Sequence, residues 1–442
     1  MASRVPAASG VVLLHTRERV VLASSAAIWL LVVAGPAAQA QQSATPQEEL
    51  RTSPQGEVPL NDASEPTAVF EQPRPAYDAK GVDLGGFRLF PTLTVNEAYD
   101  DNIFAEDADE EDDFITAVTA GLLAKSEWSR HEVEIEAAVR HEKYLRNDDQ
   151  DRTEYVIRPT VKLQLGGRDS ARLTAEHSRR TIGRDDPEDS GDDEPTEFNR
   201  FAGGGEYIKR VNRLFFGFNA NARRDDYISS GDNDRDRNEY RFGLPIGYEV
   251  SAMTDVVLEP FVRRRDFDEV DSTGADRDAW AGGATVGIDT EVTSLLHVNF
   301  DVGFIANDFD DSTFDDSVGL IFGGEAIWYV TPLTTVKGRA ERRDIATNQP
   351  GSSSKTQSGL SLELQHELQQ NVLVGGQVRY INDDFREVDR IDDRFIAGVG
   401  VEYLLNRNFS LTADYQYQQR WSDRDGEDFG RNLVLVGLKT RL

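Results

Sequence analysis

The chain has no cysteine in its 442 residues, so no disulfide supports the fold, and thiol nucleophiles and Cys-rich metal sites are excluded. Histidine is scarce: His15, His131, His141, His177, His297 and His366 are scattered, with no H-E-x-x-H or G-x-S-x-G setting around them. His177 and Ser178 are adjacent, so on a strand they point to opposite faces, the wrong geometry for a nucleophile and its base. Positive charge is in deficit. The 79 acidic and 48 basic residues leave a formal charge of -31, which repels phosphate backbones and excludes nucleic acid as a partner. Long hydrophobic runs are missing beyond the N-terminus, so no later segment crosses a bilayer as an apolar helix.

Low overall hydrophobicity, 38 % of residues, does not exclude a β-barrel. Lipid requires apolar side chains on only one face of each strand, and closing the sheet satisfies every backbone N–H and C=O without water. The stretch from Phe198 to Val262 has this pattern. Phe216, Phe218, Ala220 and Ala222 alternate with Gly217, Asn219, Asn221 and Arg223, and the run passes through Tyr227 into an acidic loop ending near Arg237. A second alternating run from Glu239 to Val250 meets a tight turn at 251–254, and a third starts at Val256. Period-two runs joined by connections that are alternately long and short are the signature of a transmembrane barrel.

In chain order, Arg17, Arg19 and the apolar stretch Val20–Val33 precede Pro36-Ala-Ala-Gln-Ala40, which reads as a signal peptide over residues 1–40. Residues 41–84 are rich in Gln, Pro, Glu, Ser and Thr and read as a disordered periplasmic extension, with a plug that enters the lumen as the alternative. The barrel is then expected over 85–442. Long acidic loops fall near 106–113, 147–152, 184–197, 229–237, 268–278, 308–317, 348–357, 382–394 and 422–430, and short turns fall between them. Counting arms predicts an antiparallel up-and-down barrel of about eighteen strands, with the long loops extracellular. Tyr144, Tyr227, Tyr380 and Trp421 near the long loops, and Trp128, Trp328, Tyr329 and Tyr403 near the short turns, suggest two aromatic girdles. The final run Val434, Val436, Leu438, Thr440, Leu442 suits a closing strand.

The low-complexity lead, the first strand ending in Glu97-Ala-Tyr-Asp-Asp-Asn-Ile-Phe104 and the hairpin cycle together resemble the β-barrel porin family of Gram-negative bacteria. That resemblance covers about Gly86 to Leu442 and implies the cell outer membrane. Because some members are associated with capsule or exopolysaccharide export, it also implies polysaccharide and periplasmic export components as candidate partners, besides lipopolysaccharide.

Charged side chains cannot face lipid near midplane without a cost of roughly 2–4 kcal/mol per Arg or Lys, so they must line the interior. The candidate pore-lining set is Arg140, Arg158, Lys162, Arg172, Arg223, Arg263 and Arg339 with Glu134, Glu136, Glu259 and Glu341. It admits two readings: a selectivity surface for anionic or sugar cargo, or a salt-bridged network that fills the wall. The acidic run Asp232, Asp234, Asp236, Glu239 lacks the glycine and terminal glutamate placement of an EF-hand loop and reads as a solvated loop. No catalytic residue, metal or cofactor is called for. The expected function is a porin-like channel, with polysaccharide export as its most specific form. A plugged structural or adhesive barrel and a barrel hydrolase are the alternatives.

Overall fold

The computed structural model describes residues 67–442 apart from Ser190, Asp192, Asp193 and Ser230. The expected signal peptide, and the expected extension as far as residue 66, lie outside the described residues.

One sheet of twenty strands forms the molecule. The first seven are β1 (Val82–Leu84), β2 (Phe87–Asp100), β3 (Asp113–Ser126), β4 (His131–Tyr144), β5 (Arg152–Gly166), β6 (Asp169–Thr181) and β7 (Glu197–Val211). Next come β8 (Leu214–Tyr227), β9 (Arg237–Gly243), β10 (Ile246–Ser251), β11 (Thr254–Phe267), β12 (Ala279–Thr293) and β13 (Leu296–Phe309). The last are β14 (Ser317–Thr331), β15 (Thr334–Ile345), β16 (Lys355–Gln369), β17 (Val372–Phe385), β18 (Ile391–Leu404), β19 (Phe409–Ser422) and β20 (Phe429–Arg441).

Apart from β9 and β10, each strand pairs antiparallel with the next, and β20 returns to pair with β2 from Arg441↔Thr92 to Leu433↔Asp100, which closes the cylinder. The run from Glu239 to Val250, read as one strand, is divided at Leu244-Pro245, because proline has no N–H for the ladder. Its halves β9 and β10 both pair with β8 and β11, and so make one stave. With β1 only a short arm on β2, the wall has the eighteen staves that the sequence predicts.

The alternation fixes which face is wet. On β13, Phe300, Val302 and Phe304 are 42 %, 39 % and 53 % exposed, opposite Asp301, Gly303 and Ile305. A slip by one residue would exchange these sets and put charge into lipid. Turns of two to four residues end the strands on one side. Gly167 (φ 58°) and Asn212 (φ 57°) take the left-handed conformation that such turns need, which glycine adopts freely and asparagine tolerates best among other residues. β2, β3 and β4 are each 14 residues long, more than the roughly 9–11 that cross a bilayer when tilted. The wall is therefore taller than the hydrocarbon layer it crosses.

The aromatic girdles need correction. Tyr380, Trp421, Trp128, Trp328 and Tyr403 are 43–51 % exposed on the outer face as expected. Tyr144 and Tyr227, each 5 % exposed, belong to the inner set instead, and Tyr329 alternates with the outward Trp328. Aromatic rings pack well on either face of a strand, so chain position alone does not place them at an interface.

Candidate functional site

Two of the long connections are not extracellular loops but turn back into the cylinder. The first, 346–354, is Ala-Thr-Asn-Gln-Pro-Gly-Ser-Ser-Ser; it carries no charge at all, so the description of this connection as acidic fails. Ala346, Thr347, Asn348, Ser352, Ser353 and Ser354 are all buried. The turn inward starts where β15 parts from β14, whose pairing ends at Phe322↔Arg342. Beyond that point the Asp344 carboxylate meets Arg263 Nη2 at 2.6 Å and Arg265 Nη1 at 3.1 Å, on the inner face of β11. Asn307 Nδ2 on β13 and the Ser354 hydroxyl donate to the same carboxylate.

The second connection follows β6. Its Asp185 accepts from Gln418 Nε2 at 2.7 Å and lies 3.8 Å from Arg431 Nη1, while Asp186 lies 4.0 Å from Arg394 Nη1. Glu188 reaches the first loop. It pairs with Lys355 Nζ at 3.0 Å and accepts from the Thr347 hydroxyl at 3.0 Å and the Asn348 N–H at 2.5 Å. On the other side of that junction Arg237 donates to Asn348 Oδ1 (3.0 Å), Asn348 Nδ2 to the Tyr227 hydroxyl (2.9 Å) and Arg277 to the Thr347 carbonyl (3.0 Å). Together the two loops cross the outer half of the lumen, from β6 to β18–β20 and from β8–β12 to β16.

Burial raises the carboxyls of this junction, and the neighbouring cations oppose it. For Asp186 burial wins: its pKa is pushed up to about 6, although Arg394 and Lys355 pull it down. For Glu188 the Lys355 ammonium, the Asn348 N–H and the Thr347 hydroxyl outweigh burial and hold the group below the usual carboxylate range. Asp185 is likewise held low, against burial, by Arg431 and Gln418.

The residues nominated from sequence all fall on inner-face positions, where acidic partners surround the bases. Arg140 pairs with Glu142, Arg158 with Glu136 (3.1 Å) and Glu176 (2.8 Å), and Lys162 with Glu132 (3.2 Å). Glu134 pairs with Lys125 (3.1 Å) and Glu259 with Arg241 (3.0 Å); Arg172 stands opposite Glu206 in register. Arg223 lies 3.6 Å from both Asp225 and Glu239, Arg339 pairs with Glu325 (2.7 Å), and Glu341 with Arg343 (2.6 Å). Depth separates them. The Arg339 and Glu325 side chains keep 24 % and 19 % exposure, whereas Arg263 and Asp344, nearer the long loops, keep 5 % and 3 %. Asp232, Asp234, Asp236 and Glu239 do not form a set. Glu239 is bound to Arg265 at 3.0 Å, and no cluster of three or more acidic or histidine ligands occurs among the described residues.

At the inner mouth the chain lies against its own wall. Val69 N–H donates to Thr335 Oγ1, Phe70 N–H to Gln365 Oε1, and the Arg74 guanidinium to Glu367 at 2.7 Å. Phe70 lies over Gly375, where a side chain would meet its ring at 3.3 Å. Arg407 and Arg441 then hold the Pro75 and Tyr77 carbonyls along the rim. Residues 69–74 are thus fastened to the inner ends of β15 and β16.

Sequence reasoning missed Glu188, Lys355, Asp185 and Asp186, which it left in acidic loops, and Asp344, which it did not single out. A signal existed for the first loop only: 346–354 is free of charge and ends in three serines, unlike the connections before and after it. No comparable mark sets apart the acidic 182–196.

A family model described as "Putative beta-barrel porin 2" matches residues 74–442. The chain belongs to this family. The porin therefore lies in the outer membrane of a Gram-negative bacterium, with its short turns on the periplasmic side. Among solved structures it is similar to OccK3 (OpdO) of Pseudomonas aeruginosa, at 12 % identity and TM-score 0.44 over 80 % of this chain and 96 % of that one. It is also similar to OccAB3 of Acinetobacter baumannii, at 9 % identity and TM-score 0.44 over 81 % of this chain and 100 % of that one. No curated protein matches it.

Proposed function

We propose that this porin is a narrow, charge-lined passage for small hydrophilic solutes, constricted in its outer half by two of its own loops. The observation that carries the reading is the junction at Glu188, where one carboxylate holds Lys355, Thr347 and Asn348 across the lumen. Eighteen strands alone leave room for an aqueous channel. Loops fastened by buried charge reduce that room. Below the junction, partly exposed pairs such as Arg339–Glu325 offer a wetted wall of both signs, which suits polar solutes of modest size.

Polysaccharide export, the most specific cargo suggested by the family resemblance, fits this geometry less well. A polymer strand would have to displace both loops and break the ion pairs that fasten them. Reconstituted porin tests the reading. In planar bilayers the wild type should give small, steady conductance, and Glu188→Gln should raise it several-fold by releasing the 346–354 loop. Conductance large enough to pass oligosaccharides in the wild type would overturn the constriction. No conductance in the wild type or in Glu188→Gln would favour the plugged, structural barrel instead.

A further inference from the structure

On the inner wall beside the seam, Glu402, Thr412, Gly437 and Asn96 fall in one row across β18, β19, β20 and β2. Gly437 has no side chain, and its neighbours on both sides lean over it. A Cβ at that position would lie 2.1 Å from Asn96 Oδ1 and 2.6 Å from Thr412 Oγ1. Asp414 stands two residues beyond Thr412 on the same face of β19. Asn96 and Asp414 are each only 6 % exposed, and neither Asn96 Oδ1 nor Asp414 Oδ1 has a hydrogen-bond partner.

The charges around this space do not balance Asp414. Glu402, whose charge acts on Asp414, is also a carboxylate and is engaged by the Ser410 hydroxyl at 2.7 Å. Lys439 lies in register with Ser410, farther toward the periplasm, where it acts on Glu402; Arg441 is beyond it. A buried carboxylate beside a second carboxylate is costly unless a proton or a positive charge neutralises it. Water could satisfy Asn96 Oδ1 but brings no charge.

We propose that the space over Gly437 is a site for a hard, oxygen-liganded cation of the Ca²⁺ class. Asp414 supplies the charge and Asn96 and Thr412 the neutral carbonyl and hydroxyl oxygens, which the missing side chain of Gly437 lets converge; carboxylate, amide carbonyl and hydroxyl oxygens are what such ions take. Asn96 belongs to the first stave and Thr412 to the one before last, so the ion clips them together across β20 and staples the seam. The inference is independent of the passage proposed above.

Crystals of the full-length porin soaked in Tb³⁺, as a Ca²⁺ mimic, test it directly. An anomalous peak among Asn96 Oδ1, Thr412 Oγ1 and Asp414 is expected, and its absence at millimolar Tb³⁺ overturns the site. In detergent, CaCl2 added to EDTA-stripped protein should raise the melting temperature. That rise should shrink in Asp414→Asn and in Gly437→Ala, which fills the space, but not in Glu110→Gln on the exposed loop. An equal rise in all four proteins means that only surface carboxylates bind, and rejects the proposal. Should a variant fail to fold, the soak of the wild type decides.

Discussion

Arg431, near the start of the last strand, donates through Nε to both carboxylate oxygens of Asp100 at the end of the first stave, at 2.9 and 2.8 Å, and through Nη2 to the same group. Asp100 is fully buried. Next to it, Asp101 accepts from the Asn432 backbone N–H and side-chain amide at 2.6 and 2.7 Å, and the Asn102 amide reaches the Gly430 carbonyl. Ile103 tucks inward against Ile115, Leu433 and Leu435, with Phe104 packed beside it. The short motif Tyr99-Asp-Asp-Asn-Ile-Phe104 is therefore a latch on the outer end of the seam.

Breaking that latch should weaken the whole cylinder. Removing one partner of a buried ion pair costs about 3–5 kcal/mol because the other is left uncompensated. Arg431→Ala is expected to lower the urea midpoint of the folded barrel, while Asp100→Asn with Arg431→Gln should cost less than either single change. Unfolding followed by heat-shifted mobility in detergent gels reads this out.

Acid should loosen the constriction, but not near neutrality. Asp186 has a raised pKa, about 6, so its contribution is fully present below its ordinary carboxylate value and declines as pH rises through about 6; proton uptake there does not release the loop. Glu188 and Asp185 are depressed, so their contributions are present above the ordinary carboxylate range and are lost as pH falls through their folded values. Bilayer conductance is expected to be flat between pH 7 and 5 and to rise only at more acidic pH. A step near pH 6 would assign the fastening to Asp186 instead.

The strap at the inner mouth should be separable from the wall. Arg74→Ala removes the 2.7 Å pair with Glu367 and a bond to the Val69 carbonyl. Residues 67–78 should then become accessible to limited proteolysis, and the melting temperature of the barrel should change little. Resistance equal to the wild type would show that Phe70 and the backbone bonds to Thr335 and Gln365 suffice.

The outer face should reject charge according to depth. Val302→Arg, near the middle of β13 and 39 % exposed, is expected to cost about 2–4 kcal/mol, measured by denaturant titration in lipid vesicles.

The barrel was legible because its code is local. Period two fixes the face, and short turns such as Gly167-Arg168 are marked by residues that tolerate positive φ. Even the closing strand could be read from Val434 to Leu442. The constriction was not legible, because whether a loop such as 182–196 extends outward or folds inward is decided by partners far away in the chain. Glu188 finds Lys355, Asp185 finds Gln418 and Asp344 finds Arg263, contacts for which spacing along the sequence gives no sign. The same reason hid the inward turn of Tyr144 and Tyr227, whose rings serve the buried latch and the Asn348 contact.

The absence of cysteine offers the most direct test of the constriction. Glu188→Cys and Thr347→Cys, introduced together, put two thiols where the native side chains meet at 3.0 Å. In intact outer membranes a short bifunctional thiol reagent should join them, closing a loop that gives a shifted band on denaturing gels and locking conductance at its low level. Failure to cross-link, with both thiols reacting freely with a bulky water-soluble reagent added from outside the cell, would contradict two loops meeting within the lumen.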